Sequence, residues 1–340
     1  MKGAVCTRPG AFELREIDDP SPGPGEVIVR VRNCGICGSD LHYFTGAFRL
    51  PSVCPGHEIS GEVAAVGSGV ATQVGERVAM EPRSVCGQCW CCRTGNVQIC
   101  AAARFLGDAS HGGFAEYVRI PEYALVPVPP SVDFDVAALA EPMAVAVHAA
   151  RVAQVALGDR VVVLGAGTIG LLAVVAARAA GAGEVWCTAR HPHQRAAAEC
   201  VGATRVFSGP EAARELQAAA RQYVVDAVIE TVGGAADTLR EAVEVVRAQG
   251  AIAVLGVFTV LPSLNALALI AKEVRMFGSA TYGRASVRTD FEVAVRLLGE
   301  RPERFRPLIT HGFPLNEIAG GFATAADKRS GAIKVLIHPE

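Results

Sequence analysis

Four cysteines, Cys86, Cys89, Cys92 and Cys100, stand in the pattern Cys-x2-Cys-x2-Cys-x7-Cys. Thiolates at these intervals can close a tetrahedron around Zn2+, which favours sulfur ligands in sealed structural sites. Gly87 and Gly95 let the chain bend tightly around such an ion. Cys91 leaves a second register open, because Cys89-x-Cys91 is also available, but the even spacing favours Cys92. The segment is polar and turn-rich, so a cluster of unrelated core cysteines is the weaker reading. A closed four-thiolate site holds a lobe together and performs no reaction.

A second set of residues has the opposite character. Cys37-Gly38-Ser39-Asp40-Leu41-His42, Gly56-His57-Glu58 and Glu141-Pro142 offer sulfur, nitrogen and oxygen donors. Singly, each has an ordinary structural explanation: a core cysteine, a hydrogen-bonded histidine, a helix start. Jointly, Cys37, His57, Glu58 and Glu141 supply the mixed donor set of a catalytic zinc, which keeps one position for water or substrate. Ser39 and His42 lie close in sequence to the metal cysteine and suit a proton relay. A bound alcohol acidified by the metal would pass its proton to the hydroxyl, and the histidine would deliver it to solvent.

A third pattern concerns a cofactor. Val161-Val162-Val163-Leu164 reads as a buried strand running into Gly165-Ala166-Gly167-Thr168-Ile169-Gly170 and then a helix. Gly-x-Gly-x-x-Gly is informative only with those two flanks, and both are here. Gly165 makes the turn, Gly167 lets the backbone approach a pyrophosphate, and Gly170 lets helix and strand pack closely, with the phosphates at the helix N-terminus. The end of the next strand usually carries an acid that holds the ribose 2′-hydroxyl of NAD. Here it reads Cys187-Thr188-Ala189-Arg190-His191, with Arg195 just beyond. A small residue beside a guanidinium admits and pairs a 2′-phosphate that a carboxylate would repel, which favours NADP(H) over NAD(H). The bland alternative is that Arg190 is a solvated surface charge.

The elements that must position these groups fall into two textures. Up to about Glu141 the chain is rich in proline, glycine and short β runs, with strands expected at Val27–Val31, Gly61–Val66, Arg77–Met80 and Ala115–Ile120. From about Ala144, apolar β runs alternate with alanine-rich helices. Strands are expected at Arg160–Leu164, Glu184–Thr188, Asp226–Thr231, Ala251–Leu255 and Val274–Gly278, with helices at Ile169–Ala180 and Gln194–Val201. Near-continuous apolar strands alternating with helices imply a parallel sheet covered on both faces. A further helix is expected at Arg288–Gly299. The closing strand, Ala332–Ile337, has no place in that sheet and is expected to return to the first domain.

The ensemble resembles the zinc-containing medium-chain dehydrogenase/reductase superfamily, in its sorbitol and polyol dehydrogenase branch, nearly end to end. The resemblance rests on Cys37-Gly38-Ser39-Asp40-Leu41-His42-Tyr43, Gly56-His57-Glu58-x2-Gly61-x5-Gly67, the four-cysteine lobe, Glu141-Pro142-Met143, the glycine motif, Pro307–His311 and Gly331–Val335. It implies an α/β protein with a Rossmann nucleotide-binding domain, 145–280, inserted in a GroES-like β-rich catalytic domain, 1–144 and 281–340, whose structural zinc lobe is 86–100. It implies that Cys37, His57 and Glu58 bind the catalytic zinc, with Glu141 at or near the remaining position. Ser39 and His42 match the proton relay, Tyr43 and Tyr282 match substrate-pocket positions, and Thr168, Ile169, Ala189, Arg190 and Arg195 join the glycines around the cofactor. Polyol members show an Arg-Tyr pair where this chain reads Thr281-Tyr282, which removes several hydrogen-bond donors from a polyhydroxylated pocket, although Arg284 lies nearby. The implied reaction is reversible oxidation of a secondary alcohol or polyol to a ketone, with two zinc ions per chain. The implied assembly is a homodimer or homotetramer, through an edge strand near Val274–Gly278.

Bulk properties bound the alternatives. The 340 residues suit two domains, with 51% hydrophobic residues and a net charge of −2. No basic block marks a nucleic-acid surface. Uncharged stretches at Val161–Ala177 and Gly250–Ala271 are interrupted by glycine, proline and asparagine, which argues against membrane spans. The opening lacks the succession of a signal peptide, and the 11 cysteines then point to metal or thiol chemistry in a cytoplasmic protein. Cys6, Cys34, Cys54, Cys187 and Cys200 sit in apolar surroundings and are expected in the core. Two rival functions share the fold: a metal-free quinone or enone reductase, which would not need the four catalytic donors, and a non-catalytic nucleotide-binding protein.

Overall fold

The computed structural model describes residues 1–285 and 287–339. The chain divides into two compact units, one of Met1–Glu141 with Gly283–Glu340 and one of Pro142–Tyr282.

The first unit is built on the strand Glu26–Gly35, whose Val27, Val29 and Val31 are wholly buried. β-Branched side chains suit this pleated, half-buried surface. The strand pairs antiparallel with Glu58–Val66, Tyr117–Pro121 and Lys334–His338. Arg77–Met80 and Leu125–Pro127 extend the sheet on one side, and Ile309–Pro314 closes the other. The chain's last strand thus does belong here, and it brings Lys334 beside the start of Glu58–Val66. Close strand pairing demands glycine at Gly61, where a Cβ would lie 2.1 Å from the Arg30 carbonyl oxygen. Val29, Ile59, Val63, Phe114 and Phe322 meet in one apolar core.

The second unit is a six-stranded parallel sheet in the order Arg205–Ser208, Glu184–Ala189, Arg160–Leu164, Ala227–Glu230, Ala251–Val254, Arg275–Gly278. Val161, Val162, Val163 and Leu164 are fully buried, as expected of a central strand covered on both faces. The helix Thr168–Ala179 follows directly.

Among the elements that escape the sequence reading, three do so for plain physical reasons. Ala140–Val152 is almost uniformly apolar and buried, so it carries no amphipathic period to read. Ile318–Ala326 is masked by its paired glycines. Arg205–Ser208 is a four-residue strand opened by an exposed arginine. The helix expected from Arg288 begins instead at Asp290, because Thr289 caps it. Its hydroxyl accepts the Glu292 N–H at 3.0 Å while Glu292 accepts the Thr289 N–H at 2.6 Å. Cys200 also departs from expectation. Cys6, Cys34, Cys54 and Cys187 are buried, but Cys200 is exposed, at the C-terminal end of the helix Pro192–Cys200. Among the described residues no helix is long and apolar enough to cross a membrane.

Candidate active site

The local fold around Cys37 is set by a capping box. Cys37 is the N-cap of the short helix Gly38–Phe44, and the buried Asp40 accepts its N–H at 2.9 Å. The other Asp40 oxygen lies 3.7 Å from His57 Nδ1. One carboxylate therefore bonds the backbone of the thiol-bearing residue and stands within ion-pair distance of the imidazole, across a sequence gap no local pattern would bridge. Burial raises the Asp40 pKa, opposed by His57 and the Cys37 N–H. Burial also disfavours charge on His57, but Asp40, Cys37 and Glu141 outweigh it and hold the imidazole well above its ordinary value. Glu141, in the first turn of Ala140–Val152, is pushed by burial up to about 7, with His57 opposing.

Cys37, His57 and Glu141 thus form one electrostatically coupled group. Buried acids, a thiol and an imidazole gathered in this way match the donor chemistry of a divalent cation.

Glu58 is placed differently. Its carboxylate meets the Lys334 ammonium, which also donates to the Ile36 carbonyl at 3.0 Å. Gly35 makes the room: a Cβ there would stand 2.0 Å from Glu58 Oε2. The fourth expected donor is consequently engaged by a cation. Among the described residues, the catalytic donors are not drawn within metal-bonding reach of one another as the lobe cysteines are. Lys334 and Asp40 are the two residues of this cluster that the sequence reading did not single out. The capping-box spacing could have flagged Asp40; no local signal points to Lys334.

Ser39 and His42 sit three residues apart on the Gly38–Phe44 helix, hence on one face. The His42 ring lies 4.7 Å from that of Phe48, and Tyr43 lies 6.0 Å from Phe48, so an aromatic group the sequence reading did not single out borders His42 and Tyr43. Tyr282, by contrast, is buried. Thr281 adopts φ 50°, a strained conformation for a β-branched residue. Arg284 faces Glu81, whose pKa is raised by burial while Arg83 and Arg284 oppose the shift.

The lobe cysteines are drawn together as a set. Sγ separations are 3.5 Å for Cys86–Cys100, 3.8 Å for Cys89–Cys100 and 4.0 Å for Cys86–Cys92. A tetrahedron with Zn–S bonds of about 2.3 Å has edges of about 3.8 Å, so these sulfurs fit zinc. The fourth position is taken by Cys92 and not by Cys91. Backbone N–H groups of Cys86 and Cys89 point at the Cys100 and Cys86 sulfurs, at 3.5 and 3.3 Å.

In the second unit the three motif glycines separate by function. Gly165 has φ 102° and turns the chain. At Gly170 a Cβ would fall 1.9 Å from the Gly165 carbonyl oxygen, so that glycine serves packing. Gly167, the N-cap of Thr168–Ala179, has nothing within 4 Å of a would-be Cβ. Its lack of a side chain answers no internal contact and fits a phosphate approaching the helix start. Ile169 continues that first turn. Thr188 accepts the Gly165 N–H at 2.9 Å, and Thr231 donates to the Leu164 carbonyl at 2.8 Å, which fixes the turn from both neighbouring strands.

At the end of Glu184–Ala189, Ala189 is buried and Arg190 exposed. Arg195 reaches Ser208 Oγ at 3.3 Å and pairs with Glu199 at 3.0 Å. Arg190, Arg195 and Ser208 therefore cluster where the two strand ends meet, with no carboxylate in the place of the usual acid.

Comparisons with known proteins identify the family. Residues 23–130 match the alcohol dehydrogenase GroES-like domain and residues 168–300 the zinc-binding dehydrogenase family. The chain is 32% identical to sorbitol dehydrogenase of Bacillus subtilis, covering 100% of this chain and 97% of that protein. It is 36% identical to L-threonine 3-dehydrogenase of Saccharopolyspora erythraea, covering 98% of each. Among solved structures, a zinc-binding dehydrogenase from Sinorhizobium meliloti bound to NADP superposes with a TM-score of 0.89 at 32% identity over 99% of both chains. A short chain alcohol dehydrogenase from Escherichia coli CFT073 complexed with NADH also gives 0.89, at 29% identity over 99% of both. The chain is therefore an oxidoreductase of the zinc-containing medium-chain dehydrogenase/reductase superfamily, in its sorbitol dehydrogenase-like branch.

Proposed function

We propose that this protein reversibly oxidises a secondary alcohol or polyol to the ketone, with two zinc ions per chain and NADP(H) preferred over NAD(H). The observation that carries the reading is the coupled group of Cys37, His57 and Glu141, with Asp40 bridging the first two. Cys37, His57, Glu58 and Glu141 make up the catalytic set, Glu58 being the member whose carboxylate must leave Lys334 to join it. Cys86, Cys89, Cys92 and Cys100 hold the structural ion. When bound, the catalytic zinc supplies Lewis acidity to the substrate oxygen and the dinucleotide accepts hydride.

The chain's own residues do the rest. Asp40 keeps the His57 imidazole oriented. Ser39 takes the substrate's proton and His42 passes it to solvent, and Tyr43 borders the substrate. Tyr282 is assigned to the pocket only if its buried ring becomes accessible. Residues 145–280 bind the dinucleotide through Gly165, Gly167, Thr168, Ile169 and Gly170, and residues 1–144 and 281–340 carry the zinc sites. Ala189 and Arg190, aided by Arg195, select the 2′-phosphate. The S. meliloti structure with NADP supports that preference, and the E. coli structure with NADH keeps NAD(H) in play. The substrate is a small molecule of the cytoplasm. The assembly is a homodimer or homotetramer through the terminal strand Arg275–Gly278, where Phe277 is exposed, with Leu267 and Ile270 exposed on the preceding helix Ala266–Ala271.

Initial rates on a panel of polyols, sugars and secondary alcohols, each with NADP+ and NAD+, test the proposal, together with zinc analysis. Turnover favouring NADP+, about two zinc ions per chain, and loss of activity in C37A are expected. No zinc with turnover on an enone or quinone would instead identify the metal-free reductase. One zinc, tight nucleotide binding and no turnover would identify the non-catalytic protein.

A further inference from the structure

Glu230 is wholly buried at the end of the strand Ala227–Glu230. Its Oε1 accepts the N–H groups of Val232 and Gly233 at 2.8 and 3.0 Å and the Thr238 hydroxyl at 2.7 Å. Its Oε2 accepts the Gly256 N–H at 3.2 Å. Those donors come from the turn that follows Ala227–Glu230, from the start of the helix Thr238–Val245 and from the turn that follows the adjacent strand Ala251–Val254. The carboxylate joins them beside backbone bonds, the Leu255 and Gly256 N–H groups donating also to the Glu230 carbonyl at 2.9 and 3.3 Å.

The junction admits no side chain. Gly233 adopts φ 61°, and a Cβ there would meet the Val257 nitrogen at 2.5 Å. A Cβ on Gly256 would meet the Gly233 nitrogen at 2.3 Å and Glu230 Oε2 at 2.5 Å. Just outside this contact the Gly234 N–H donates to Val257 at 2.8 Å and the Thr259 N–H to Gly234 at 3.1 Å. The assembly abuts the nucleotide turn, because a Cβ on Gly165 would lie 2.7 Å from Val232 Cγ2. Val232 and Val257 are about half exposed on these segments. A parallel sheet binds its ligand outside the carboxyl ends of its strands, where this pair of turns stands.

We infer that Glu230 is a positioning residue for the dinucleotide, locking the Val232 and Val257 turns as one rigid wall beside Gly165. The inference rests on the cofactor reading above. Four donors converge on one buried carboxyl group, so its loss would leave several of them without that acceptor. An amide in the same place keeps an accepting oxygen but turns an N–H2 toward the Gly256 N–H, so the side-chain tie between the two turns is lost and only the backbone bonds remain. The wall adjoins the motif turn and not the Ala189–Arg190 corner, which separates its effect from that of the adenosine phosphate site.

The test measures equilibrium binding of NADP+ and of its adenosine fragment 2′,5′-ADP to the intact protein and to E230Q, by calorimetry. E230Q is expected to weaken NADP+ by about tenfold or more, while 2′,5′-ADP changes by less than about twofold. T238V removes one donor, retains the carboxylate, and is expected to move NADP+ the same way by about threefold; it carries the test if E230Q does not fold. Faster amide exchange at Val232, Gly233 and Gly256 in the ligand-free variant is the accompanying sign. Equal weakening of both ligands would reduce Glu230 to a general stability role and overturn the inference. Unchanged NADP+ binding in both variants would also overturn it, leaving the cofactor reading intact. Failure of the unmodified protein to bind NADP+ or NAD+ would overturn the cofactor reading, and this inference with it.

Discussion

Lys334 and Glu58 meet with side chains only 3% and 1% exposed, so solvent screens their attraction little. Lys334→Met keeps most of the volume and removes the cation, leaving the Glu58 carboxylate buried beside Gly35. Breaking a buried ion pair from one side costs about 3–5 kcal/mol. The carboxylate cannot relax toward the backbone, since it already fills the space that a Cβ on Gly35 would need. For a unit of this size each kcal/mol lowers the melting temperature by roughly 2–4 °C, so K334M should lose about 10 °C. Replacing both charges by apolar groups is close to neutral, so E58M/K334M should recover most of the loss.

Melting of the metal-stripped protein, E58M, K334M and the double variant, followed by circular dichroism, measures both effects. A K334M shift below about 3 °C, or a double variant no more stable than the two losses added, would refute the reasoning. The pH dependence has a definite sign. Burial pulls the Lys334 ammonium down, but Glu58, Cys37 and Glu141 outweigh it and raise its pKa above the ordinary 10.5. A cation with a raised folded pKa contributes fully below its unfolded value and loses the contribution as pH rises through the folded one. The stabilisation that Lys334 derives from this raised pKa therefore remains up to pH 10.5 and declines only beyond it.

Other perturbations separate the remaining parts. R190S should raise KM for NADP+ by roughly 10- to 100-fold, the worth of a charge-assisted bond to phosphate, and leave KM for NAD+ unchanged; steady-state rates with both cofactors decide it. G170A should melt well below the unmodified protein because its Cβ would strike the Gly165 carbonyl. G167A should keep its melting temperature and lose dinucleotide affinity, so equal melting losses in the two variants would count against a ligand role for Gly167. C89A should retain one zinc in place of two and expose the 86–100 lobe to trypsin, read by metal analysis and gel. Iodoacetamide at neutral pH should label the exposed Cys200 and spare Cys54 and Cys187, whose thiols burial raises to about 11 and about 12; peptide mass mapping reports which cysteines react.

Legibility in the sequence follows the range of the interaction. The parallel strands are legible because burial on both faces writes a continuous apolar run, as in Val161–Leu164. The four-cysteine lobe is legible because its ligands lie within 15 consecutive residues, 86 to 100, and the structure needs only to choose Cys92 over Cys91. The catalytic donors are legible as types but not as an arrangement. Asp40 reads locally as a helix cap, and only the fold reveals that its second oxygen faces His57. Lys334 reads as one charge in a closing strand. Its role depends on the pairing of Lys334–His338 with Glu26–Gly35, a contact across 298 residues between Lys334 and Ile36.

The same distinction explains why the glycine motif divides as it does. A pattern match treats Gly165, Gly167 and Gly170 as equivalent, yet the backbone demands only two of them. Gly165 supplies a positive φ and Gly170 a close approach, so both would be kept in any protein with this turn, whether or not it bound a nucleotide. Gly167 satisfies no internal need, and its open side is the part of the motif that speaks to a ligand. Glu230 is the converse case. Nothing around it in sequence announces a function, but four donors converge on it at the carboxyl ends of two adjacent strands, beside the turn that holds Gly165. A residue that organises a binding wall without touching the ligand leaves no motif, because its partners are mainly backbone amides that any sequence could supply.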